Sequence, residues 1–144
     1  MARIAVFGIG YVGAVSAACL ARDGHQVIAV DADPGKVAAI AAGRSPIVEQ
    51  GLPDLIAAMV EAGRLRATTD AQRAVRESEA SFVCVGTPSA ADESIGLDQV
   101  RAVSEAIGRA LAGHPGFHSV VMRSTIVVTN PTFSSIHSSR LAST

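Results

Sequence analysis

Residues 4–33 read IAVFGIGYVGAVSAACLARDGHQVIAVDAD. Two short apolar runs enclose three glycines, Gly8, Gly10 and Gly13, and the second run ends at Asp31. A glycine inside a regular element costs about 0.5–1 kcal/mol relative to alanine, so three within six residues call for a purpose. Arg3–Phe7 has the character of a buried strand stopped by glycine. Tyr11–Arg22 has that of a helix, with Val12, Val15, Ala18 and Cys19 at helical spacing and Gly24 as the stop. Gln26–Val30 is a second buried strand. The glycines therefore sit in a strand-to-helix turn, spaced GxGxxG, where a dinucleotide-binding fingerprint must lie.

Each glycine then has a task. Gly8 permits the tight turn, Gly10 lets the backbone approach a pyrophosphate, and Gly13 lets the helix pack closely on the strand. The helix beginning at Tyr11 and Val12 presents free N–H groups and a positive dipole end to the phosphates. Asp31, 18 positions after Gly13, is placed to accept hydrogen bonds from the adenosine ribose. The same acid selects the cofactor. A 2′-phosphate about 4 Å from it would be repelled by about 4 kcal/mol at an effective dielectric of ~20. No arginine follows Asp31, so NAD is expected over NADP. FAD uses a similar fingerprint and stays open at this point.

Outward from this unit the alternation continues. Asp33-Pro34 is an N-cap followed by proline at the first helical position, opening a helix to Ala42 that Gly43 ends. RSPIVEQG (44–51) is a loop, and Leu52–Ala62 an amphipathic helix stopped by Gly63. A third strand is expected at Leu65–Thr68, and a helix capped by Asp70 runs to Glu77. A fourth strand is expected at Ser81–Val85, with GTPSAADESIG (86–96) as a loop. Leu97–Ala112 is the longest helix, with Val100, Val103, Ile107 and Leu111 on one face, and Ser119–Met122 is a fifth strand. The order β-α-β-α-α-β-α-β-α-β predicts an α/β fold, a Rossmann-type doubly wound parallel sheet with strand order 3-2-1-4-5. Ligands of such sheets bind outside the carboxyl ends of the strands. Gly86, Thr87 and Pro88 after the fourth strand, and Ser124 and Thr125 after the fifth, place bare backbone and hydroxyls there.

Composition sets the bounds. The 144 residues are 49% hydrophobic and 17% charged, with net charge −1. That is the chemistry of one globular domain and not of disorder. The chain has no basic run interleaved with aromatics, so nucleic acid is not an expected partner. No apolar run approaches ~18 residues, so no membrane span is expected. The N-terminus has no charged region before its first apolar run, hence no signal peptide, and a cytoplasmic location is expected. Cys19 and Cys84 lie in apolar stretches without metal-ligand spacing and are expected to be small buried hydrophobes. His25, His114, His118 and His137 fall in scattered loop contexts and are expected to be solvated. No catalytic or metal-binding constellation stands out. Residues 1–125 are expected to form the domain and 126–144 an atypical Ser/Thr-rich tail, which opens with a strand-like run at Ile126–Val128.

Five stretches together resemble the UDP-glucose/GDP-mannose dehydrogenase family: FGIGYVGAVSAACLARDGHQVIAVD, SPIVEQGL, GRLRATTD, FVCVGTPS and RST. They run in order from residue 3 to residue 125, and SPIVEQGL looks most like the GDP-mannose 6-dehydrogenase version, with Gln50 where the family usually has proline. The resemblance implies two successive NAD-dependent oxidations of a sugar C6 alcohol to the carboxylate. It implies that Tyr11 and Val12 meet the pyrophosphate by backbone, that Asp31 and Lys36 hold the adenosine ribose, and that Thr87 and Thr125 line the cofactor toward its nicotinamide. Family members continue with a helical dimerisation region and a sugar-binding domain that carries a cysteine nucleophile. No stretch here matches that nucleophile, so the chain alone is expected to be inactive. TNPTF (129–133) is similar to the family's Asn-Pro-Glu-Phe motif, but arrives early and has Thr132 in place of the glutamate. A noncatalytic dinucleotide-binding module, or a remnant of a longer gene, is the alternative.

Overall fold

The computed structural model describes residues 1–86, 93–114 and 116–123, with the side chains of α5 described from Asp98 onward. Five parallel strands form one sheet: β1 (Arg3–Phe7), β2 (Gln26–Val30), β3 (Leu65–Thr68), β4 (Ala80–Val83) and β5 (Ser119–Met122). The order is β3-β2-β1-β4-β5, as expected from the sequence. The central register pairs Arg3 with Gln26 through Phe7 with Val30 on one side, and Ile4 with Ala80 through Phe7 with Val83 on the other.

The helices are α1 (Tyr11–Arg22), α2 (Pro34–Ala41), α3 (Leu52–Glu61), α4 (Ala71–Arg76) and α5 (Glu93–Leu111). Side chains alternate across a strand, and here both faces are buried. Ile4, Val6, Val27 and Ala29 pack under α1–α3, while Ala5, Phe7, Ile28 and Val30 pack under α4 and α5. That explains why the strands are continuous apolar runs and not alternating ones. The caps behave as the sequence dictates. The Asp33 carboxylate accepts from the N–H of Gly35 at 2.7 Å and Lys36 at 3.4 Å, and Asp70 accepts from the Arg73 N–H at 2.9 Å.

Four expectations need correction. The buried face of α1 is Gly13, Ala14, Ala17, Ala18 and Ala21, whereas Val12 is 43% exposed and Cys19 only half-buried. The helix lies so close to the β1 turn that only small side chains fit between them. β4 begins at Ala80 and ends at Val83, two residues short of the expected Val85, because its partner β1 ends at Phe7. α5 begins at Glu93, so residues 93–96, expected in a loop, are helical. His25 and His118 are not merely solvated: the His25 Nδ1 accepts from the Ala2 N–H at 3.1 Å, and His118 is half-buried. The Ser78 carbonyl, 3.2 Å away, can only accept, so the His118 Nδ1 carries the proton. The His118 Nε2 of the neutral ring then accepts from the fully buried Ser81 hydroxyl at 2.8 Å. This contact ties the starts of β4 and β5 together at the edge opposite the glycine turn. The expected strand at residues 126–128 and the tail lie outside the described residues.

Candidate functional site at the carboxyl edge of the sheet

Because all strands are parallel, Phe7, Val30, Thr68, Val83 and Met122 end at one edge. A cavity of about 500 Å³ opens there, and Gly8, Gly10, Asp31, Lys36, Cys84 and Gly86 line part of it. The three glycines of the turn do three different things. Gly8 has φ +93°, a conformation that side chains rarely adopt, and its N–H donates to the Val30 carbonyl at 2.8 Å. Gly13 has no space for a side chain: a Cβ there would lie 1.7 Å from the Gly8 carbonyl oxygen. Gly10 is the opposite case, since a Cβ there would meet nothing within 4 Å. The chain comes close at Gly8 and Gly13 and leaves the space beside Gly10 open.

Gly10 is also the N-cap of α1, with no side-chain cap and no acid in the first turn. The first N–H groups of a helix lack intrahelical partners and carry partial positive charge. Tyr11 and Val12 are exposed there. The Tyr11 hydroxyl donates to Glu49 at 2.5 Å, reaching from α1 to the loop before α3, and that contact raises its pKa above the ordinary phenol value. An uncapped helix N-terminus facing open space has the chemistry to receive an anion.

Asp31, the first residue after β2, is nearly enclosed, its side chain 13% exposed. Its Oδ2 accepts from the Ile9 N–H at 2.6 Å and its Oδ1 from the Asp33 N–H at 2.9 Å. The carboxylate thus clamps the glycine turn to the end of β2. A carboxylate has about four lone-pair sites, so acceptor capacity remains for hydroxyls in the cavity. The Lys36 Nζ lies 3.8 Å from Asp31 Oδ2.

Cys84 is buried, as expected. It follows β4 at the carboxyl edge and lines the cavity. Burial pushes its thiol above the ordinary range, against a smaller opposing pull from Arg123. Gly86 lies in the wall as expected; Thr87, Pro88, Ser124 and Thr125 lie outside the described residues. Sequence reasoning misses the Tyr11–Glu49 contact, the cavity position of Cys84 and the α5 wall. Each depends on residues far apart in the chain, and no local periodicity signals it.

The family model of the UDP-glucose/GDP-mannose dehydrogenase family, NAD binding domain, matches residues 2–142. The chain belongs to this family. Its relatives include a GDP-mannose 6-dehydrogenase of Pseudomonas putida, 46% identical over 125 residues, which are 87% of this chain and 28% of the relative. A UDP-glucose 6-dehydrogenase of Rhizobium meliloti is 43% identical over 127 residues, 88% of this chain and 28% of the relative. Among solved structures, a ternary complex of GDP-mannose dehydrogenase from Pseudomonas aeruginosa superposes with a TM-score of 0.81 at 46% identity, covering 86% of this chain and 28% of that one. The chain spans less than a third of these relatives' length. NAD is the cofactor of this domain, which settles the choice that the fingerprint leaves open with FAD. The residues present fit it: an open space beside Gly10, a helix N-terminus at that space, and a carboxylate beyond it.

Proposed function

We propose that this chain is the cofactor-holding part of a nucleotide-sugar 6-dehydrogenase that oxidises the C6 alcohol of GDP-mannose or UDP-glucose to the carboxylate. The observation that carries the reading is the open space at Gly10, set in a cavity between the α1 N-terminus and Asp31. NAD supplies the hydride acceptor. The backbone of Gly10, Tyr11 and Val12 binds the pyrophosphate through the first-turn N–H groups, and Gly8 and Gly13 hold that turn in place. Asp31 orients the adenosine ribose with its remaining lone pairs, and Lys36 steadies the carboxylate through Oδ2, the oxygen that also accepts from the Ile9 N–H. Gly86 lies in the cavity wall, and the family resemblance assigns Thr87 and Thr125 to the nicotinamide end. Relatives named as GDP-mannose and as UDP-glucose 6-dehydrogenases support the reaction class.

In the same proposal the 144-residue chain does not complete the reaction alone. A second oxidation through a thioester needs an exposed, low-pKa thiolate. Cys84 is buried with its thiol pushed up, and Cys19 lies on α1 and not at the cavity. The test is calorimetric titration of NAD into the chain, followed by absorbance at the NADH band with either sugar nucleotide. NAD should bind and no NADH should form over hours. Failure of NAD to bind overturns the site. Sugar-dependent NADH that disappears in Cys84→Ser overturns the burial argument.

A further inference from the structure

The cavity has a second wall. Gln99, Ala102, Val103 and Ala106 of α5 all line it. Their spacing of three, four and seven places them on one stripe of the helix. Val30 at the end of β2 and Ala71 at the start of α4 line the same cavity. The alanines keep this stretch of the cavity wall small, and Thr69, the residue after β3, lines the cavity as well.

The cofactor's order of groups now decides what enters it. With the pyrophosphate at Gly10 over β1 and the ribose at Asp31 over β2, the next group outward is the adenine ring. A flat aromatic base suits walls of alanine and valine. Among the described residues lining the cavity, Gln99 carries the one carboxamide, and no hydrogen bond or ion pair within the described chain engages it. It is exposed, so its amide is free to turn. Adenine offers an amino donor beside a ring-nitrogen acceptor, and a carboxamide matches that pair with its oxygen and its NH₂.

The geometry points to Gln99 as the residue that reads the adenine base, accepting from the exocyclic amino group and donating to the adjacent ring nitrogen. This rests on the NAD-site reading above. It makes Gln99 a specificity residue for the base, separate from the glycine turn and from Asp31. Thr69, also in the wall just after β3, offers a hydroxyl but no matched donor–acceptor pair.

The test uses the full 144-residue chain and two dinucleotides, NAD and its 1,N6-etheno derivative, in which the amino group and N1 are tied into a ring. Gln99→Leu keeps the size and removes the amide; its exposure leaves folding unthreatened, which circular dichroism checks. Gln99→Leu should weaken NAD about two- to tenfold, the range of an ordinary net hydrogen bond. It should leave the etheno derivative unchanged, because that ligand cannot make the pair. The cycle of two proteins and two ligands isolates the amide–base contact from any steric effect of the extra ring. Equal weakening of both ligands would mark a structural role, and no weakening of either would place the base elsewhere; both overturn the inference while leaving NAD binding intact. If the unaltered chain binds no NAD, the site reading falls and this inference with it.

Discussion

Replacing Gly13 by alanine inserts one methyl group where the chain has no room. That carbon would lie 1.7 Å from the Gly8 carbonyl oxygen and 3.4 Å from the Cys84 Cβ, whereas real Cβ contacts essentially never fall below 3.0 Å. The start of α1 must therefore back away by roughly 1.3 Å, enough to forfeit about half or more of the dispersion well of each contact it loosens. The contacts at risk are those of Ala14, Ala17, Ala18 and Ala21, none more than 1% exposed. Overpacking of this kind costs about 3 kcal/mol, at the upper end of its usual range because the obstacle is backbone. The gain in helix propensity from glycine to alanine returns about 1 kcal/mol. The net loss is about 2 kcal/mol, a fall in Tm of about 7 °C for a chain of this size. Gly10→Ala is the control. Its φ of −86° is open to any residue and its Cβ meets nothing within 4 Å, so Tm should hold while NAD affinity falls more than tenfold. Thermal melts followed by circular dichroism, with calorimetric titration of NAD, measure both. A Gly13→Ala protein that melts with the parent refutes the packing argument, and a Gly10→Ala protein that binds NAD normally refutes the proposed pyrophosphate site.

Two further outcomes follow from the site and from the opposite edge. NAD should bind at least tenfold tighter than NADP, about 1.4 kcal/mol, and Asp31→Ala should narrow that gap twice over, by removing the repelling carboxylate and by freeing Lys36 at 3.8 Å to meet a 2′-phosphate. NAD titration should also show a loss, since the Ile9 N–H loses its acceptor; equal affinities for the two dinucleotides in the unaltered chain would contradict the charge argument. Burial holds His118 below the ordinary imidazole range, with the Ser78 carbonyl opposing and His114, 5.4 Å away ring to ring, adding a smaller lowering. A base with a depressed folded pKa contributes stability that is full above its unfolded value, about 6.5, and lost as pH falls through the lower folded value. Urea unfolding between pH 7 and pH 5 should show this slope in the parent and a shallower one in His118→Gln; identical slopes would exclude His118 as its source.

Much of this molecule is legible locally. A strand stopped by glycine, an Asp-Pro cap and a glycine just past the ends of α1, α2 and α3 are decided by φ preferences and nearest-neighbour hydrogen bonds, so β1, β2, α2 and α3 stand within a residue or so of where the sequence puts them. The glycine spacing likewise announces the proposed pyrophosphate site, because the turn, the approach and the close packing are each a property of one position. Distance between elements is not encoded that way. The alanine face of α1 is buried instead of Val12 because the helix sits against the Gly8 carbonyl, and that separation is set by the whole sheet. The clamp of Asp31 on the Ile9 N–H, the seat of His118 against Ser81 and the placing of Gln99 and Val30 in the wall of one cavity each bring together residues at least 22 positions apart. A periodicity of two or of 3.6 residues says which side of an element is apolar. Only the packing of one element on another decides how near that side comes to its neighbour, and so which polar groups are left facing the cavity.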